Sequence, residues 1–198
     1  MTNLDTAPAV EIFPHVRVIM GMVLSLGLAR LLSGLARFIQ HPGKLPIYPV
    51  HLAWVASMLL LLVHFWWWEY RLYATPQWTV TLYLFLIAYT IVLYALCALL
   101  FPDDIEEYSG YEDYFLSRRR WFFGLLGVAF VFDYLDTLIK GREHAELFGI
   151  EYEIRVPIYL ALCTVAAVWP NRRFQAAFVT ASLIYQVSWI LRLFDTLD

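Results

Sequence analysis

The chain has 198 residues, 61% hydrophobic and only 16% charged, with a formal net charge of −3. Its mean hydropathy is +0.62 and its pI about 5.9. A soluble domain carries roughly 25% charged residues, and a nucleic-acid partner needs a basic face, so a water-soluble globule and a nucleic-acid binder are both excluded.

The apolar excess is segmental. No Asp, Glu, Lys or Arg occurs from Leu45 to Trp68 or from Leu72 to Pro102, and shorter clean stretches run Val18–Ala29, Trp121–Phe132, Val156–Asn171 and Phe174–Leu191. A spanning helix needs roughly 20 mostly apolar residues. The pattern predicts an all-α polytopic membrane bundle, a single transmembrane domain over 1–198, with helices at 15–39, 49–72, 78–101, 119–140, 154–170 and 172–195.

The segment before helix 1 carries Asp5 and Glu11 and no Lys or Arg. A secretory signal has a positive start, so the first run reads as a retained helix. Helix 1 carries Gly21, Ser25, Ala29 and Ser33 at every fourth position, with Gly27 and Gly34 alongside. Such a face lets another helix approach closely, either inside the chain or at a seam with a second copy or another membrane protein. Arg30 sits a few residues past the middle of this helix. Its stem can snorkel to the surface or meet a loop carboxylate, or it can bind an anionic group or gate a path.

Helix 2 contains His51 and His64 and closes on Trp66-Trp67-Trp68 and Glu69. The tryptophans read as an interfacial anchor. His51 and His64 share one helix, and His15, His41 and His144 lie near ends or in loops, which disfavours haem. Helix 3 bears Thr79, Tyr83, Thr90, Tyr94 and Cys97 on one stripe, and helix 6 bears Gln175, Ser182, Gln186 and Trp189. The 102–118 link, where acidic residues alternate with Tyr108, Tyr111, Tyr114 and Phe115, reads as an acidic loop or an interfacial helix. Helix 5 has the shortest apolar run and is either a short span or a partial one packed on protein, and its link to helix 6 is so brief that the two should form a tight hairpin.

Helices 2, 4 and 6 run toward the same side. Their late residues, His64 and Glu69, Asp133 and Asp136, and Gln186, Arg192 and Asp195, therefore share a depth. Charge in hydrocarbon is costly and marks function or tight pairing. Asp133 and Asp136, three apart, should face one way, and Arg192 is expected to pair with one of them.

Basic residues favour both termini outside by a thin margin, with Arg37, Lys44, Arg118–Arg120, Arg172 and Arg173 against Arg17, Arg71, Lys140, Arg142 and Arg155. Lys44-Leu45-Pro46-Ile47-Tyr48 and Arg155-Val156-Pro157-Ile158-Tyr159 hint at a 3+3 inverted repeat.

Hydrolase, zincin, P-loop and dinucleotide motifs are missing, and no Cys/His spacing suggests a metal. The reading is of a protein with no catalytic residues, cofactor or metal. Three functions compete, of which a membrane enzyme or redox protein is the least favoured. One of the remaining two is an ion or proton channel or an ion-coupled transporter using the Asp133, Asp136, Arg192, His64, Glu69 and Gln186 cluster. The other is a scaffold subunit that packs other transmembrane helices against helix 1.

Overall fold

The computed structural model describes residues 9–41, 43, 46–69, 72, 78–141 and 148–194. They form six helices: α1 Ala9–Gln40, α2 Pro49–Trp68, α3 Val80–Ala98, α4 Tyr111–Ile139, α5 Gly149–Val168 and α6 Arg172–Phe194. No strand occurs among the described residues. Five helices are long and apolar enough to cross a membrane. The exception is α5, whose first turns carry Glu151, Glu153 and Arg155. The chain is a helical, multi-pass membrane bundle. Its exposed rim is rich in large apolar side chains such as Met22, Leu26, Val63, Trp121 and Ile184, as expected where lipid is the solvent.

Local chemistry sets the ends. Pro49 opens α2, where its missing N–H costs nothing. The Thr79 hydroxyl accepts from Leu82 N at 3.1 Å and caps α3. Asn171 caps α6 by accepting from Arg173 N and Phe174 N at 2.9 and 3.1 Å. Gly110 starts α4 at φ 141°, a backbone angle that strains other residues.

The 102–118 link is therefore divided. A loop runs to Gly110, and the rest is the first turns of α4, eight residues ahead of the start expected at 119. Glu112 and Asp113 sit in that first turn, where the helix dipole favours negative charge.

α1 packs chiefly on α3, α3 on α4, and α4 on α5, while α2 lies centrally against α6, α1, α3 and α4. The packing does not repeat between halves, because the main partner of α1 is α3 whereas that of α4 is α5. The tight α5–α6 hairpin is not formed. The two helices share a short turn but their backbones then diverge, so that they meet through long side chains such as Tyr159 with Ser182 and Glu151 with Arg192, and a cavity lies between them.

Gly27 and Gly34 make the close approach of α1. A Cβ on Gly27 would lie 3.4 Å from Cys97 Sγ, and one on Gly34 would lie 2.3 Å from the Phe101 ring. Of the predicted face, Gly21 meets Trp66, but Ser25, Ala29 and Ser33 point outward and are exposed.

Candidate functional site in the α2, α4, α5 and α6 half

A cavity of about 80 Å³ lies among α2, α4, α5 and α6, with Tyr89 of α3 on one wall. Such a volume has room for on the order of five waters. Its inner end is closed by Trp54, whose ring makes edge contacts with Phe122, Phe123 and Phe178 at 5.3, 5.5 and 5.3 Å. The outer end holds His64, Trp68, Asp133, Tyr152, Arg155 and Trp189. The lining is thus aromatic at one end and charged at the other.

Asp133 forms an ion pair with Arg155 of α5. The Tyr152 hydroxyl lies 3.1 Å from Asp133 Oδ2 and 2.6 Å from Thr137 Oγ1, which itself donates to the Asp133 carbonyl at 3.0 Å. The Arg155 guanidinium is ringed by Tyr152, Trp189 and Phe130 at 4.6, 5.3 and 6.0 Å. Each ring face attracts the cation by about 0.5–2 kcal/mol. The side chains of Arg155 and Asp133 are 12% and 24% exposed, so the pair is mostly withdrawn from solvent.

One turn further, Lys140 Nζ lies 2.6 Å from Asp136 Oδ2 and 3.2 Å from Glu69 Oε1. Trp68 Nε1 donates to Asp136 Oδ2 at 3.2 Å, and Lys140 stands over the Trp68 ring at 5.3 Å. Trp68 therefore touches both the cavity and this second knot. Asp133 and Asp136 do not act as one pair of like-facing carboxylates, since one is held toward α5 and the other toward α2.

The polar stripe expected on helix 6 is in place. Ser57 Oγ donates to Gln186 Oε1 at 3.0 Å, and Gln186 Nε2 donates to Ser57 O at 3.2 Å, tying α2 to α6. Ser182 accepts from the Tyr159 hydroxyl at 3.3 Å. The stripe expected on helix 3 does not line the cavity, and its Cys97 packs on Gly27 of α1. Thr79 is a cap, Thr90 bonds the Ile87 carbonyl at 2.8 Å, and Tyr94 is exposed.

Arg192 departs from expectation. It forms a bidentate pair with Glu151, at 2.8 and 2.6 Å, and both side chains are exposed. It pairs with neither aspartate, because α5 begins at Gly149 and so carries Glu151 alongside the end of α6. Arg155 and Lys140 take the carboxylates instead, although by sequence they read only as flanking charges. Lys140 is four residues after Asp136, a spacing that marks a helical ion pair, so that partner was readable. Arg155 required knowing that the start of α5 lies level with the end of α4.

At the opposite end, Arg30 pairs with Asp103 and donates to the Phe101 carbonyl at 3.0 Å, the loop-carboxylate arrangement. His51 is fully buried. Its Nε2 donates to the Leu100 carbonyl at 2.6 Å, and its ring stacks on Tyr111 at 5.0 Å. Cys97 and Cys163 are buried free thiols. Among the described residues no three His, Cys, Asp or Glu side chains gather as a metal site. Asp195, Lys44, Arg71 and Arg142 lie outside the described residues. No protein-family model, curated protein or solved structure matches this chain.

Proposed function

We propose that this chain is a small membrane protein that moves protons, or couples proton movement to another small ion, through the cavity among α2, α4, α5 and α6. The observation that carries the reading is the cavity itself, which reaches Asp133 within a bundle of spanning helices. A scaffold has no need to keep an ionisable group beside an internal space. The size of the cavity favours protons or a small ion over a larger solute. Asp133 is the exchangeable group, with His64 on the same wall. Protonating Asp133 would release its charge from Arg155, which the three aromatic rings would still hold in place. The Trp54, Phe122, Phe123 and Phe178 cluster acts as the seal on the far side.

Proteoliposomes loaded with a pH-sensitive dye and driven by a potassium diffusion potential test this. The wild type should acidify or alkalinise the lumen, and Asp133→Asn combined with Asp136→Asn should abolish that flux. An unchanged rate in the double variant refutes the reading.

A second reading, a scaffold or homo-oligomer joined through helix 1, is favoured by one observation. Ser25, Ala29 and Ser33 are left exposed on α1. Ser25→Leu or Ala29→Leu should then lower the particle mass in nanodiscs, and an unaltered mass places any seam elsewhere.

A further inference from the structure

We infer that Glu69 and Asp136 hold one proton between them, which makes the Lys140 knot a proton-storage site at the charged end of the cavity. The site joins two helix ends, Glu69 at the close of α2 and Asp136 with Lys140 at the close of α4. All three side chains are withdrawn from solvent, with 4%, 0% and 5% exposed respectively.

Charge balance is the first argument. A buried charge is tolerated only when it is paired. Around the knot stand His64 on α2, Tyr89 on α3, Asp133 on α4, and Tyr152 and Arg155 on α5. Arg155 is engaged by Asp133. Among the described residues, Lys140 is then the one cation in contact with two carboxylates. A single ammonium balances one of them, and the other is satisfied by taking up a proton.

The unfilled hydrogen-bonding positions are the second, independent argument. Glu69 Oε2 and Asp136 Oδ1 are buried and have no hydrogen-bond partner. Ionised carboxylates accept at both oxygens, and buried acceptors are almost always satisfied. An unfilled oxygen costs less on a neutral carboxyl than on an ionised one, which favours a proton on one of the two groups. The two groups share one ammonium, so the proton belongs to the pair rather than to either residue. Trp68 Nε1 on Asp136 Oδ2 connects the site to the cavity wall. Asp133, on the cavity lining, lies one turn away from Asp136 on α4.

The site extends the proposed path, but its test reads carboxyl protonation rather than flux, so the two can fail separately. The test is infrared spectroscopy of the full chain in nanodiscs near neutral pH, following the C=O stretch of protonated carboxyl groups. The wild type should show this band. Glu69→Gln and Asp136→Asn should each remove it, because the remaining carboxylate is balanced by Lys140. Asp133→Asn should leave it in place. Lys140→Met should roughly double it, since both carboxyls must then be neutral. A wild type without the band overturns the proposal whatever the variants do, and so does a band that survives both Glu69→Gln and Asp136→Asn.

Discussion

Asp133→Asn tests the electrostatic core of the site. The substitution keeps the shape of the side chain and an oxygen that can accept from Tyr152, but it removes the charge facing Arg155. Breaking a fully buried ion pair costs about 3–5 kcal/mol, mostly through the charge left behind. Here the aspartate is 24% exposed and the arginine 12%, and the rings of Tyr152, Trp189 and Phe130 still face the guanidinium. The expected loss falls to about 2–3 kcal/mol, roughly 30- to 150-fold in the folding equilibrium. Arg155→Met added to Asp133→Asn removes the stranded charge. The double variant should therefore cost less than the sum of the single variants, with a coupling of about 2 kcal/mol. Reversible unfolding in mixed micelles, followed by tryptophan fluorescence, measures all four corners of the cycle. A coupling below about 0.5 kcal/mol, the limit for independent sites, would refute the claim that these residues form a desolvated pair.

Three further outcomes are expected. Arg192→Met should leave the unfolding midpoint almost unmoved in the same assay, because its pair with Glu151 is exposed to solvent; a loss as large as that of Asp133→Asn would contradict the assignment of partners. Gly34→Ala should destabilise by about 1–3 kcal/mol, since the added methyl meets the Phe101 ring at 2.3 Å, whereas Gly124→Ala, with nothing within 4 Å, should be neutral or gain up to about 1 kcal/mol of helix propensity; equal thermal shifts in detergent would remove the packing argument. Gln186→Leu loses both bonds to Ser57 and should cost about 0.6–1.7 kcal/mol, the range for interhelical hydrogen bonds in membranes; a calorimetric or chemical unfolding midpoint that does not move would show that the α2–α6 tie is not made.

The sequence by itself determined the class of protein, the number and approximate position of its helices, and the end of the bundle where ionisable groups collect. These are local properties. Hydrocarbon demands long uncharged stretches and internally bonded backbone, and chain direction alone places His64, Glu69, Asp133 and Asp136 at one depth. The short apolar run of α5 and the four-residue step from Asp136 to Lys140 were also there to be read. Only the tertiary structure decided who meets whom. Arg192 and Arg155 are both cations at the right level, and the choice between them depends on how each helix is rotated and which neighbour it packs against. The start of α5 at Gly149 brings Glu151 to Arg192 and frees Asp133 for Arg155. The splay of α5 from α6 opens the cavity, and the central place of α2 brings Glu69 to Lys140. Ion pairs reach only a few ångströms, and hydrophobic patterning sets depth but not the rotation of one helix against the next.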